Sequence, residues 1–331
     1  MMNGKNRPRT LARHGKRMKG RERMSTSENS NADREKNASS MPDPTVLLDG
    51  LAYVESPRWH DGRLWFAHWG TGEIVAVDLD GNSEVTGHGP SGLGWTIDWL
   101  PDGRLLVTGK ELLRMEPDGS MVRHADLSGV GKHGWNDIVV DGRGNIYVTS
   151  IRFEFLAGKP PQSGIIALVT PDGKARQVAG DLAFPNGMVI TPDNSTLIIS
   201  ESFTGRLLAF DIATDGSLSN RRVWAEGLLP DAICMDAESA IWVQTAATFT
   251  HTRREDTPAG AVVRVREGGE VLQRIEHDRA IFGVMLGGPD RKTLFLLAAE
   301  WRGIEHVDEA VAARTGQVLV SQAPAPGAGW P

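Results

Sequence analysis

One hairpin recurs six times in this chain of 331 residues, and that repeat limits the possible folds more than any other feature. Each copy has an apolar strand, a turn that carries an aspartate, and a second apolar strand. The turn aspartates are Asp61, Asp102, Asp141, Asp193, Asp236 and Asp290. They are separated by 39 to 54 residues, a spacing typical of four-stranded propeller blades. The repeat therefore predicts an all-β protein, a six-bladed β-propeller with four-stranded blades.

The repeats also predict the limits of the domain. The propeller is expected over residues 44–322, and TVLLDG at 45–50 is expected to pair with GQVLVSQ at 316–322. Pairing of these N- and C-terminal strands would close the ring and leave no long open sheet edge. The two longest repeats carry extra loops at 151–164 and 245–260. We interpret the second loop as solvated, with a lid that recognises an anion as the alternative.

The termini differ in composition from the propeller. Residues 1–43 are basic, and we expect a disordered extension or a segment upstream of a true start at Met24 or Met41. Residues 323–331 form a tail rich in proline and glycine. The body is acidic, since residues 41–331 carry 25 lysines and arginines against 38 aspartates and glutamates. This balance excludes a nucleic-acid-binding role for the body, although a basic arm for RNA or membranes is an alternative for the N-terminal segment.

Three further features bear on the cellular compartment. No run approaches the ~18 apolar residues of a membrane span. The basic N-terminal segment lacks the apolar region of a secretory signal. A single cysteine, Cys234, rules out an intramolecular disulfide. We therefore expect a cytoplasmic protein that acts on a small molecule and binds neither membranes nor nucleic acid.

Acidic or amide side chains occur at the start of the first strand in four of the six repeats. These strands line the central channel of a propeller, so their first residues should meet at one mouth. The oxygen donors are Glu55, Asn136, Asp137, Asn186 and Asp231, and the other two repeats offer Trp95, Thr96 and Phe282. Crowded carboxylates repel one another unless a cation lies among them. Such a set favours Ca²⁺, Mg²⁺ or Mn²⁺, with Zn²⁺ as an alternative, although Asn186 and Asp231 also suit plain turns.

Five segments together resemble the gluconolactonase/regucalcin (senescence-marker protein) family, over nearly all of 45–322. They are VESPRW, WNDIVVDGRGNIYVTS, FPNGM, LPDAICMDAESAIWV and FGVMLGGPDRKTLFLLAAEW. The resemblance implies a propeller that binds one divalent cation, with Ca²⁺ as the first candidate, and hydrolyses sugar lactones. It implies that Glu55, Asn186 and Asp231 are the metal ligands and that Asp231 is also the general base. By the same resemblance, Asn136 and Asp137 hold the substrate or the water on the metal.

One position departs from the family pattern. Members that act on aldonolactones often carry arginine two residues before the asparagine of the Asn-Asp pair, where this sequence has Gly134. The departure implies a missing contact to a sugar hydroxyl and therefore a less polar lactone or another ester-like ring. Trp95, Trp135 and Phe282 are the predicted substrate contacts for such a ring, although tryptophans in propellers also serve as packing between blades.

The sequence thus predicts a metal-dependent lactonase that opens a lactone to the hydroxy acid. Two other hypotheses keep the same cation site. One is a related ester or phosphotriester hydrolase, or a lyase. The other is a non-catalytic propeller that binds calcium or another ligand, because a fold alone does not determine function.

Overall fold

The protein is described here by a computed structural model that covers residues 38–245 and 259–330. The basic segment 1–37 and most of the 245–260 loop, with His251, Arg253 and Arg254, lie outside the described residues. In the part that is described, no helix is long and apolar enough to cross a membrane.

Six sheets form the predicted blades, and each blade contains four antiparallel strands. In five blades the four strands are consecutive, and in the sixth the outer strand comes from the N-terminal part of the chain. The chain begins with β1 (Ser39–Ser40) and β2 (Thr45–Leu51). Blade 1 contains β3 (Tyr53–His60), β4 (Arg63–Trp69), β5 (Glu73–Val77) and β6 (Ser83–His88). Blade 2 contains β7 (Ile97–Trp99), β8 (Leu105–Val107), β9 (Leu112–Met115) and β10 (Met121–Ala125). Blade 3 contains β11 (Ile138–Val140), β12 (Ile146–Ser150), β13 (Gly164–Val169) and β14 (Ala175–Leu182).

The remaining three blades complete the ring, and the prediction of a six-bladed β-propeller is confirmed. Blade 4 contains β15 (Pro185–Ile190), β16 (Thr196–Glu201), β17 (Arg206–Ile212) and β18 (Leu218–Glu226). Blade 5 contains β19 (Pro230–Asp236), β20 (Ile241–Thr245), β21 (Gly260–Val265) and β22 (Val271–His277), flanked by β1 and by β26 (Gly327–Ala328). Blade 6 contains β23 (Ala280–Gly287), β24 (Thr293–Ala299) and β25 (Gly316–Gln322), with β2 as its outer strand. The first strands β3, β7, β11, β15, β19 and β23 contact one another in turn around the channel.

The ring closes where the sequence predicts. Strand β2 pairs antiparallel with β25, so that Thr45 lies opposite Val320 and Val46 opposite Leu319. The N-terminal strand therefore supplies the fourth strand of the last blade, and its backbone hydrogen bonds hold the two ends of the propeller together.

Most strands are buried on both faces between neighbouring blades, which explains their nearly continuous apolar sequences. Between blades 1 and 6, the ring of Trp59 stacks on Phe295 with centroids 5.4 Å apart. Gly287 makes this approach possible, because a Cβ there would lie 2.5 Å from the Trp59 ring. The repeated turn aspartates have a local role. Asp141, for example, accepts hydrogen bonds from the backbone N–H groups of Arg143 (2.9 Å) and Asn145 (2.8 Å).

Within residues 38–245 and 259–330, the few helical turns lie in loops between the second and third strands of a blade. They are the 3-10 turns Phe155–Ala157, Ser202–Thr204 and Ile304–His306, followed by the helix α1 (Val307–Ala313). Successive strands run antiparallel, so these loops lie at the end of the blade where the first strand starts. The long loops of blades 3 and 6 and the short loop of blade 4 therefore border the same channel mouth as the oxygen donors.

Candidate functional site

Three of the predicted donors lie on β-bulges of the first strands. The pairing of β3 with β4 shifts register between Glu55 and Arg58. Equivalent shifts occur between Pro185 and Met188 in β15 and between Pro230 and Ile233 in β19. A bulge bends its strand and redirects a side chain. The bulges free Glu55, Asn186 and Asp231 from the regular alternation of the strand at the channel mouth.

Each bulge is accompanied by a residue with left-handed backbone that precedes a proline. The φ angles are 55° for Ser56, 61° for Phe184 and 51° for Leu229. Left-handed backbone is unusual for bulky side chains, and its cost is of the order of 1–3 kcal/mol per residue. Such strain concentrates at functional sites, and here it lies beside all three candidate ligands.

Close packing of β15 against β19 brings two of the candidate ligands together. A Cβ on Gly187 would lie 2.5 Å from the backbone oxygen of Asp231, so only glycine allows this approach. The Asn186 side chain forms a hydrogen bond with the Asp231 carboxylate. Its Oδ1 accepts a hydrogen bond of 3.2 Å from Nδ2 of Asn136. Asn186 therefore links the donors of blades 3 and 5.

The two carboxylates of the site are buried and lie near other acidic groups. Burial raises the pKa of Glu55 well above its ordinary value, and the charges of Asp231 and Asp137 raise it further, against the backbone N–H of Ser56. Burial and Asp137 raise the pKa of Asp231 to about 7, although the hydrogen bond from Asn186 lowers it. Within residues 38–245 and 259–330, neither Glu55 nor Asp231 forms an ion pair with lysine or arginine.

The donor set fits a hard divalent cation. Two carboxylates and one amide oxygen are the ligand types that Ca²⁺, Mg²⁺ and Mn²⁺ prefer. In the described ranges, no three His, Cys, Asp or Glu side chains are grouped to hold a metal. A site built here would therefore depend on the amide of Asn186 as the third protein ligand, with water completing the coordination.

Two threonines of blade 2 support the Asn136 backbone. The hydroxyl groups of Thr96 and Thr108 donate to the Asn136 carbonyl oxygen at 2.9 and 3.1 Å. The Asn136 N–H in turn donates to the Thr149 carbonyl oxygen at 2.7 Å. These buried contacts fix the Asn-Asp pair between blades 2 and 3. The supporting role of Thr108 was not predicted from sequence.

A buried arginine lies on the channel side of the same pair. Nη2 of Arg58 lies 3.5 Å from Oδ1 of Asp137 and donates to the Ile138 carbonyl oxygen at 2.9 Å. Nε of Arg58 lies 3.9 Å from Oδ1 of Asp98. Burial raises the pKa of Asp98 to about 6, even though Arg58 lowers it. Arg58 thus joins blade 1 to blades 2 and 3 and carries the positive charge closest to Asp137 among the described ion pairs.

The donors open into a cavity of about 570 Å³, within the ~300–1,000 Å³ that is usual for small-molecule sites. Its lining contains seven of the predicted site residues: Glu55, Asn136, Asp137, Asn186, Asp231, Trp135 and Phe282. The eighth, Trp95, does not belong to this lining. Its indole is buried in blade 2, donates to the Gly92 carbonyl oxygen at 3.1 Å, and borders a neighbouring cavity.

Six aromatic residues of the cavity wall were not predicted from the sequence. They are Tyr53, Trp69, Phe153, Phe155, Phe184 and Trp301. A signal was present for part of the set, because residues two apart on a strand share a face. Tyr53 lies two residues before Glu55 on β3, whereas Phe184 precedes β15 and has left-handed backbone, so alternation does not reveal it. Trp301, Phe153 and Phe155 lie in loops, where no periodicity reveals them.

Comparison with known proteins gives a consistent family relationship. A family model described as "SMP-30/Gluconolactonase/LRE-like region" matches residues 53–300. Diisopropyl-fluorophosphatase of Loligo vulgaris is 29% identical over 177 residues, which cover 46% of this chain and 55% of that protein. The 6-deoxy-6-sulfogluconolactonase of Pseudomonas putida is 26% identical over 142 residues, which cover 41% of this chain and 45% of that protein. The chain therefore spans about half the length of these two relatives.

A solved structure supports the architecture. The regucalcin of Agrobacterium tumefaciens, described as a calcium-binding protein, is similar to this chain with a TM-score of 0.69 at 20% identity. The similarity covers 88% of this chain and 97% of that one. At this level of identity, the likeness shows a shared fold.

Proposed function

The chain belongs to the SMP-30/Gluconolactonase/LRE-like family, and on that basis we propose that it is a divalent-metal-dependent hydrolase that opens a lactone to its hydroxy acid. The observation that carries the proposal is the proximity of Glu55 and Asp231, two buried carboxylates without an ion-pair partner in the described residues, in the lining of one cavity at the channel mouth. The similarity to a relative named as a lactonase favours this reaction.

Glu55, Asn186 and Asp231 would hold the cation. Calcium is the first candidate because all three donors are oxygens and because the similar regucalcin is described as calcium-binding. Mg²⁺, Mn²⁺ and Zn²⁺ are the alternatives. When bound, a divalent cation supplies the positive charge that offsets negative charge on the reacting carbonyl oxygen.

The remaining steps belong to the side chains of this protein. Asp231 accepts a proton from a water molecule, whose oxygen attacks the carbonyl carbon of the lactone. The ring C–O bond then breaks, and the proton passes to the ring oxygen that leaves as the alcohol. Asn136 and Asp137 orient the substrate or the attacking water, and Thr96 and Arg58 hold that pair in place. The aromatic walls exclude bulk water, which strengthens these polar interactions.

Replacement of the proposed general base tests this assignment. We expect Asp231→Asn to keep the fold and to lower kcat for lactone hydrolysis by about a hundredfold or more, because a positioned electrostatic and proton-accepting group is lost. Asp61→Asn is the matched control, since that carboxylate is 84% exposed at the opposite end of blade 1. Equal rates for Asp231→Asn and Asp61→Asn in a pH-stat assay would contradict the role of Asp231.

Removal of the cation tests the metal dependence. Treatment with EDTA should abolish hydrolysis of five- and six-membered lactones, and addition of Ca²⁺, Mg²⁺, Mn²⁺ or Zn²⁺ one at a time should show which ion restores it. Activity that is unaffected by EDTA, in protein shown by elemental analysis to be free of metal, would contradict the proposed cation site.

A phosphorus ester is the second candidate substrate, because a matching relative is named diisopropyl-fluorophosphatase. Fluoride release from diisopropyl fluorophosphate, with no turnover of any lactone, would favour this reaction. Tight calcium binding without turnover of either class would instead favour the non-catalytic binding propeller.

A further inference from the structure

Two aromatic walls rise from opposite sides of the channel mouth. The first, here called the phenylalanine wall, consists of Phe153 and Phe155 from the long loop of blade 3 and Phe184 and Phe203 from blade 4. The second, the tyrosine wall, consists of Tyr53 and Trp69 from blade 1 and Phe282 and Trp301 from blade 6. Blades 3 and 4 lie half a ring away from blades 6 and 1, so the walls face each other across the donors.

The phenylalanine wall is a packed unit rather than a set of isolated rings. The rings of Phe155 and Phe184 meet edge to face with centroids 5.1 Å apart, and Phe184 stacks on Phe203 at 4.5 Å. Phe153 meets Phe184 edge to face at 5.9 Å. Phe184, whose backbone is left-handed, lies two residues before Asn186 in the sequence. Both residues line the same cavity. A substrate group that contacts the wall therefore lies directly beside the oxygen donors.

Several polar atoms of the lining are engaged by the protein. Nε1 of Trp69 donates to the Trp95 carbonyl oxygen at 2.7 Å. The Thr96 hydroxyl donates to the Asn136 carbonyl oxygen at 2.9 Å. Gly134 has no side chain to offer, and its carbonyl oxygen accepts from Ser150 at 2.8 Å. The phenylalanine wall has no polar side-chain atom, so a hydroxyl group placed against it would lack a partner there, which is costly in a buried site.

We infer that the substrate carries a neutral, apolar substituent, an alkyl chain or an aryl ring, which lies against the phenylalanine wall while its ring carbonyl faces Glu55, Asn186 and Asp231. This inference depends on the proposed lactone hydrolysis for the identity of the reacting ring. The driving force is the removal of apolar surface from water into a preformed aromatic cavity. The polar lining side chains His133 and Glu154 lie exposed at the rim and remain hydrated.

Binding of unreactive ring analogues tests the inference separately from turnover. The probes are three six-membered lactams that share one ring: 6-pentylpiperidin-2-one, piperidin-2-one and gluconolactam, titrated calorimetrically into the protein in calcium chloride. We expect the pentyl lactam to bind at least about tenfold more tightly than the unsubstituted ring, since even one methylene in an apolar pocket can give that factor. Gluconolactam should bind most weakly.

Variants of the wall locate the apolar group. Phe155→Ala should reduce the ratio of pentyl to unsubstituted affinity toward one. Leu156→Ala, at a lining residue that is 54% exposed, should reduce it in part without risk to the fold. Val223→Ala is the matched control, because Val223 is 49% exposed on β18 and does not belong to the lining; it should keep the wild-type ratio.

The outcomes separate this inference from the proposed function. Equal binding of the three lactams, or preference for gluconolactam, overturns the apolar substituent even if lactones are hydrolysed. Preference for the pentyl lactam that Phe155→Ala and Leu156→Ala do not alter also overturns it, because the group would then lie elsewhere. Preference for the pentyl lactam that both variants reduce supports the apolar subsite, and δ-decalactone, δ-valerolactone and glucono-δ-lactone then show independently whether such rings are hydrolysed.

Discussion

At the scale of single residues, the buried positive charge of Arg58 stabilises the carboxylates of Asp98 and Asp137. Its guanidinium lies among Asp98, Asp137 and the Ile138 carbonyl oxygen, and the Arg58 side chain is 10% exposed. Removing one member of a buried ionic cluster leaves uncompensated charge and typically costs about 3–5 kcal/mol. We therefore expect Arg58→Met to lower the free energy of unfolding by about that amount, measured by guanidinium denaturation.

A second substitution distinguishes charge imbalance from lost packing. Asp98→Asn in the Arg58→Met background should restore part of the lost stability, because it removes one of the two stranded carboxylates. Its single amide oxygen can keep one of the two hydrogen bonds that Asp98 accepts from the backbone N–H groups of Trp99 and Val140. Strictly additive effects of the two substitutions would show that Arg58 and Asp98 are not energetically coupled.

The sequence predicts the candidate oxygen donors better than it predicts their surroundings. Asn186 and Asp231 stand out because they begin strands in the same phase of a repeat. Arg58 does not, since an arginine inside a strand usually indicates a solvent-facing position, and only the fold shows that it points into the channel. The left-handed backbone of Phe184 is equally hidden, because it results from packing of neighbouring strands rather than from local preference.

At the scale of secondary-structure elements, His68 on β4 connects the first blade to the ring closure. Its Nε2 accepts a hydrogen bond of 2.8 Å from the backbone N–H of Ala52, so the proton lies on Nδ1, which faces Glu73 at 3.1 Å. Burial lowers the pKa of His68, and the charge of Arg314 lowers it slightly, while Glu73 raises it in part. Protonation of Nε2 would bring its N–H donor against the backbone N–H donor of Ala52.

The lowered pKa of His68 fixes the sign of a pH effect. A histidine with a folded-state pKa below its unfolded value contributes stability above about pH 6.5, and this contribution is lost as the pH falls through the folded-state pKa. Between about pH 8 and pH 5, wild type should therefore lose more stability than His68→Gln, whose amide oxygen can still accept from Ala52. Urea denaturation at several pH values measures the difference.

The control for this pH effect is a histidine on the surface. His306 has a side chain that is 43% exposed, so His306→Gln should retain the pH dependence of wild type. If His68→Gln also retains it, the destabilisation at low pH arises from other groups.

Strands and loops differ in how well the sequence predicts them. Each predicted hairpin is present, with bounds close to the pattern, because alternating apolar runs around an aspartate turn leave few other structures. The bulges at Glu55, Asn186 and Asp231 escape such reasoning, since one extra residue in a strand does not alter the apolar pattern visibly. Phe153 and Trp301 lie in loops, and only the order of the blades around the ring shows that both loops lie at the channel mouth.

At the scale of the whole molecule, ring closure joins distant parts of the chain. The closing strand β2 comes before the first blade but completes the last one, and Leu48 pairs with Val318. Arg314 adds a hydrogen bond of 2.9 Å from its Nε to the Gly50 carbonyl oxygen. The channel mouth depends on this closure, because Tyr53 and Glu55 on blade 1 must stay in register with Phe282 on blade 6.

Shortened chains test how far the site depends on the closing strand. A chain that starts at Ala52 lacks β2, which exposes the edge of β25 and removes the cover from the apolar residues packed beneath Leu47 and Leu48. Each buried aliphatic side chain contributes about 1.5–3 kcal/mol, so this chain should be several kcal/mol less stable and should self-associate through the open edge. A chain that starts at Met41 keeps β2 and is the control. Thermal unfolding with size-exclusion chromatography compares them, and equal melting temperatures with monodisperse elution for both would show that β2 does not stabilise the ring.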